Sequence, residues 1–172
     1  GTGGTILRID GTAARAMPSG TTQLLEAVWG TSATSVLAVG DGGTVVRLSG
    51  GAWGAMPGVT TQSLLGVAGT SATDVYAVGA GGTVLRFNGS SWSPMTSGSS
   101  QTLWSVAARA DGSVYASGDA GTILRGTREV APVTIAALHE DFEDGNYSGG
   151  PAWTTDSAGA GVRLEVVGGE AH

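Results

Sequence analysis

An all-β fold of repeated four-stranded antiparallel sheets is what this sequence predicts, and three observations predict it. The first is a period: shifting the chain by 39 residues superposes three successive copies without a gap. Leu25, Leu64 and Leu103 coincide, as do Val36, Val75 and Val114, Gly40, Gly79 and Gly118, and Thr44, Thr83 and Thr122. The second is composition. Glycine supplies 31 of 172 residues while hydrophobic residues still make up 41%, so the glycine punctuates apolar runs rather than marking disorder. The third is that each period holds four short apolar runs separated by turn residues, and its glycine and threonine content argues against helices.

In the middle copy these strands read "LLGVAG" from Leu64, "DVYAVG" from Asp74, "GTVLRF" from Gly82 and "SSWSPM" from Ser90. Four short strands in about 40 residues make a β-propeller blade. The second strands, "SVLAVG", "DVYAVG" and "SVYASG", are almost continuously apolar, which requires both faces to be covered by stacked neighbours. Ala38, Ala77 and Ala116, with Ala27, Gly66 and Ser105 in the first strands, suit sheets that crowd toward an axis.

The connections have matching chemistry. "GTSAT" at Gly30 and Gly69 reads as a polar loop between first and second strands. Asp41-Gly42 reads as the centre of a two-residue hairpin turn, with both residues at positive φ. "LSGGAW" and "FNGSSW" make a further tight connection into a tryptophan strand.

The chain opens in a third strand, "GTILRI", passes through two whole blades and ends the repeat near Gly126, giving thirteen expected strands. Propellers need about four to eight blades, so the ring is expected to be incomplete within this chain. Two completions are open. Further 39-residue units preceding Gly1 in a longer polypeptide are the expected one; association of separate copies is the other, since unclosed blades expose apolar faces and strand edges.

The expected organisation is repeats over 1–126, a linker or edge strand over 127–138, and the start of a second module over 139–172. The net charge of −6 belongs to the tail: residues 1–131 carry seven arginines against five Asp and two Glu. Neither part offers the basic patch that a nucleic-acid partner requires. No apolar run approaches the roughly 18–20 residues of a membrane-spanning helix. Cysteine is absent, which removes disulfides, thiolate metal sites and cysteine nucleophiles.

"SLLGVAGTSATDVYAVGAGGTVLRFNGSSWSPM" resembles the propeller repeats of bacterial and archaeal surface proteins, in the BNR-like group that includes photosystem-assembly-factor propellers, with a kelch-like cadence of paired glycines and later tryptophan. The resemblance covers about residues 1–125 and implies blades, and an extracellular or cell-surface setting, rather than one activity. The aspartate of a sialidase-type Asp-box is missing, since "NGSSW" and "SGGAW" have Asn88 and Ser49 there. The tail, "LHEDFEDGNYSGGPAWTTDSAGAGVRLEVVGGEAH", resembles the opening of a laminin-G-like or carbohydrate-binding jelly-roll module.

Candidate sites follow from these patterns. Asp141, Glu143, Asp144 and Asn146, beside His139 and Glu140, offer oxygen ligands around a glycine turn and form a calcium candidate; a solvated acidic linker is the alternative. No other cofactor is expected. The arginine column, Arg8, Arg47, Arg86 and Arg125, recurs too regularly for a ligand site and is expected to bond an adjoining blade. The methionines at 17, 56 and 95 and the pair Trp53 and Trp92 read as blade packing. Ligand candidates are instead the positions where copies disagree: Trp29 against Ala68 and Ala107, Trp104 against Glu26 and Leu65, and Asp41 and Asp119 against Ala80. Filling an irregular gap in the core is the competing reading of the tryptophans.

The repeats contain no histidine, and neither a serine–histidine–acid set nor an acid pair stands out. The expected function is therefore a non-enzymatic binding or scaffold module with a protein or carbohydrate partner. A self-assembling structural subunit and a glycan-active propeller enzyme are the alternatives.

Overall fold

The computed structural model describes residues 1–127. Thirteen strands are present among them: β1 (Ile6–Asp10), β2 (Ala13–Met17), β3 (Leu25–Ser32), β4 (Ser35–Gly40), β5 (Val45–Ser49), β6 (Ala52–Ala55), β7 (Leu64–Ser71), β8 (Asp74–Gly79), β9 (Val84–Phe87), β10 (Trp92–Met95), β11 (Leu103–Ala108), β12 (Ser113–Gly118) and β13 (Ile123–Thr127). They pair as β1-β2, β3-β4-β5-β6, β7-β8-β9-β10 and β11-β12-β13, with every pairing antiparallel. These are two whole blades flanked by two partial ones, and the described residues close no ring. Among them no helix is long and apolar enough to cross a membrane.

Strand alternation gives each sheet two apolar faces, one for each neighbour. Val75, Ala77, Leu85, Phe87 and Trp92 of the second blade pack on Leu37, Val39 and Val45 of the first. On its other face Val78 meets Leu103 and Ala116 of the third blade. In the first blade Leu25, Ala38 and Val46 receive Ile6 of the β1-β2 pair and the half-buried Trp53. The alanines of the second strands are all buried, as expected of crowded sheets. Gly66 is held to its size by the neighbouring blade, because a Cβ there would stand 3.0 Å from the Trp104 carbonyl oxygen.

Two local readings of the sequence are corrected. The turn after the second strand is of the positive-φ kind, but displaced by one residue. Thr44 N–H donates to the Asp41 carbonyl at 3.0 Å, and the central residues are Gly42 and Gly43, at φ 61° and 72°. Asp41 only opens the turn, and its N–H donates to the Leu24 carbonyl at 2.9 Å. "GTSAT" is mostly strand. A bulge between Gly30 and Ser32 absorbs one residue, so β3 runs on to Ser32 and a two-residue turn suffices.

Gly40, Gly79 and Gly118 recur for a different reason. Their φ values are extended, but a Cβ would stand 1.9, 2.0 and 2.2 Å from the carbonyl oxygens of Leu24, Ser63 and Thr102. Those same carbonyls accept the N–H of the residue after each glycine at 2.9 Å, which ties each turn to the segment leading into the first strand.

The third blade departs from the pattern between its first two strands, where Asp111 accepts both the N–H and the hydroxyl of Ser113, at 2.9 and 2.5 Å. These bonds, with Arg109 nearby, hold the Asp111 carboxyl below the ordinary aspartate range.

Candidate functional site

Each first strand begins with the same irregularity. Leu25 pairs with Gly40 and Ala27 with Val39, leaving Glu26 as the extra residue of a bulge; Leu65 and Trp104 are its counterparts in the next two blades. A bulge re-aims the side chain it carries. The turn opened by Asp41, Ala80 or Asp119 is bonded to the residue just before that strand, so bulge and turn lie at one end of each blade.

In the third blade the two positions are joined. Trp104 is 56% exposed, and its indole Nε1–H donates to Asp119 Oδ1 at 2.7 Å. The bond fixes the ring while leaving much of it in solvent, an arrangement suited to stacking on a ligand. In the first blade the same two positions present acids, an exposed Glu26 and a half-exposed Asp41. In the second they are apolar, Leu65 and Ala80. The symmetry-breaking residues thus form a short series, acidic, apolar, then aromatic with acid.

Trp29 is placed elsewhere. It is half-buried against the core between the first two blades, with ring atoms 2.9 Å from where a Cβ on Gly69 would stand. It fills space that the glycine leaves. The candidate calcium ligands Asp141, Glu143, Asp144 and Asn146 lie outside the described residues.

The arginine column shares one strand position but not one set of partners. Arg47 reaches the next blade, with its guanidinium 5.6 Å from the Phe87 ring and a 3.4 Å bond to the Gly89 carbonyl. Arg86 instead stays in its own sheet and donates from Nε and Nη2 to Asp74 Oδ1, at 3.2 and 3.1 Å. Arg8 pairs in solvent with Asp10 at 2.8 Å.

Asp74 is the buried acid that the sequence reading passed over as a strand start. Tyr76 Oη–H and Thr70 Oγ1–H also donate to it, at 3.2 and 2.7 Å. A desolvated carboxylate is tolerable only with such partners. The available signal was that Ser35 and Ser113 hold its position in the other copies.

No family model matches the chain, and no curated protein matches it. Among solved structures it is similar to one titled "YCF48 bound to D1 peptide", with a TM-score of 0.54 and 19% identity, covering 63% of this chain and 37% of that one. The chain therefore spans well under half the length of that protein. At this identity the likeness shows the fold, and the antiparallel four-stranded sheets are propeller blades.

Proposed function

We propose that this chain is a non-enzymatic binding module of a surface or extracellular protein, and that Trp104 and Asp119 contact a protein partner. The carrying observation is the exposed indole bonded to a carboxylate at 2.7 Å, at two positions that both break the repeat. Structural residues of this chain behave differently: the leucines at 25, 64 and 103 recur and are buried in every blade. The similarity to a propeller described with a bound peptide supports a protein partner over a glycan.

Charge narrows the partner. Glu26, Asp41 and Asp119 occupy the bulge and turn positions, and no arginine does. A segment bearing arginine would stack its guanidinium on the indole and pair with these acids. The BNR-like repeat pattern supports the surface setting, and the acidic segment from Asp141 to Asn146 leaves calcium as the one proposed cofactor.

The test is fluorescence polarisation of an arginine-bearing peptide against the full chain. Binding should weaken with added salt, and Trp104→Ala should raise the dissociation constant at least about tenfold. Equal binding by Trp104→Ala and the parent chain would overturn the assignment.

A further inference from the structure

The connection between the third and fourth strands of the second blade carries chemistry that its counterparts lack. It reads Asn88-Gly89-Ser90-Ser91, and Asn88 N–H donates to the Ser91 carbonyl at 3.2 Å, closing a two-residue hairpin turn. Glycine is required after Asn88 on two counts. Gly89 has φ 100°, and a Cβ there would stand 2.7 Å from Thr73 Cγ2. The other copies have Asp10, Ser49 and Thr127 in place of Asn88, so the second blade alone sets an asparagine before the turn glycine.

An asparagine followed by glycine can react with its own backbone, because no side chain screens the next amide nitrogen from the carboxamide carbon. Asn88 is exposed, and its Oδ1 accepts the N–H groups of Ser90 and Ser91, each at 2.9 Å. Two donors on that oxygen draw electrons from Cγ and stabilise the oxyanion that forms when a nucleophile adds there. The nucleophile at hand is the nitrogen of Gly89, whose N–H has no hydrogen-bond partner among the described residues.

We propose that Asn88 is a self-modifying residue: it closes onto Gly89 as a succinimide and reopens as an acid, whose charge is taken up by the arginines around the turn. In the first step Gly89 N bonds to Asn88 Cγ, the Cγ–Nδ2 bond breaks, and Nδ2 leaves as ammonia with the proton from the Gly89 nitrogen. Water then opens the ring, at Cγ to give aspartate or at the main-chain carbonyl of residue 88 to give isoaspartate. Either product has gained one carboxylate. Two cations are in place for it. Arg47 of the first blade reaches the Gly89 carbonyl at 3.4 Å. Arg86 stands two residues before Asn88, and at the same spacing two repeats earlier Arg8 Nε donates to Asp10 Oδ1 at 2.8 Å. The contacts that hold this turn are made by residues of the first two blades, and Trp104 and Asp119 take no part in them.

The test incubates the full 172-residue chain in warm, mildly alkaline buffer and follows the tryptic peptide from Phe87 to Arg109 by mass spectrometry. Amide-to-acid conversion should appear at Asn88, as separable aspartate and isoaspartate forms, sooner than at Asn146, where Tyr147 follows in place of a glycine. Asn88→Gln moves the carboxamide out by one methylene and should slow conversion at position 88 at least about tenfold. Asn88→Asp supplies the acid directly. Its charge-assisted bonds to Ser90 and Ser91 and the nearby guanidiniums should raise the urea midpoint at low ionic strength, and the gain should shrink as salt is added. Conversion at Asn88 no faster than at Asn146, an unchanged rate in Asn88→Gln, or a midpoint not raised by Asn88→Asp would each overturn the proposal.

Discussion

The second and third blades begin from nearly the same sequence and reach different degrees of burial. Tyr76 is 2% exposed, whereas Tyr115, one repeat later, is 38% exposed; Val84 packs into the core between blades, whereas its counterpart Ile123 is 75% exposed. The strands and turns are equivalent in both. What differs is the neighbour: among the described residues, the second blade has sheets on both faces, and the third has one only on the Ala116 face. Burial is thus a property of the stack, while strand and turn formation belong to the single repeat, as in quasi-one-dimensional repeat proteins.

The largest test of this comparison is Trp92→Ala. It empties the centre of the filled interface, where the indole is buried against Phe87 and Met56, and should cost about 3–5 kcal/mol in urea unfolding. The matched comparison is between methionines: Met56→Ala removes a half-buried side chain packed on the core that holds Trp92, and should cost at least twice as much as Met95→Ala, one repeat later, whose side chain is already 39% exposed. Equal losses at the two methionines would mean that the second blade's two interfaces are energetically alike.

Much of this contrast was legible in the sequence. The 39-residue period gave the blades and their strand count, because a repeat samples each strand several times and exposes its pattern. The position of the hairpin turn was not legible to the residue: three candidate centres, Asp41, Gly42 and Gly43, stand in a row, and only the Thr44 N–H bond to the Asp41 carbonyl picks the last two. The bulges were invisible because an extra residue in a strand changes no residue type. They matter most for the site, since each one resets the inward and outward alternation that follows it. Trp104 is itself the extra residue of its bulge while Trp29 lies beyond one, so these two symmetry breakers occupy different strand positions, Trp29 half-buried against the core and Trp104 largely in solvent.

A second pair of substitutions sharpens the role of the neighbour at single-atom scale. Gly43 and Gly121 share a repeat position and nearly the same φ, 72° and 71°. A Cβ on Gly43 would stand 2.0 Å from the Thr60 carbonyl oxygen, while nothing described lies within 4 Å of one on Gly121. Gly121→Ala should therefore cost only the net backbone term, the left-handed strain less the gain from a stiffer unfolded chain, about 0.5–1 kcal/mol. Gly43→Ala adds a steric clash with main chain and should lose about 2–4 kcal/mol, read as paired thermal or urea unfolding curves. If the two alanines cost the same, the backbone contact at Thr60 contributes nothing.

The smallest expected effect runs in the opposite direction. At the first central position of the turn the copies read Gly42, Gly81 and Ala120, and Ala120 is the single non-glycine residue at positive φ among the described residues, at 53°. A Cβ in the left-handed region crowds the carbonyl that follows, at about 1–2 kcal/mol. Glycine removes that strain but brings a more flexible unfolded chain, which takes back about 0.5–1 kcal/mol. Ala120→Gly should therefore raise stability by about 0.5–1 kcal/mol and leave the Trp104 to Asp119 bond in place, since Asp119 keeps its N–H bond to the Thr102 carbonyl. A loss of stability would show that Ala120 makes a compensating contact in the third blade. The turn would then differ between blades for a reason of packing rather than of backbone geometry.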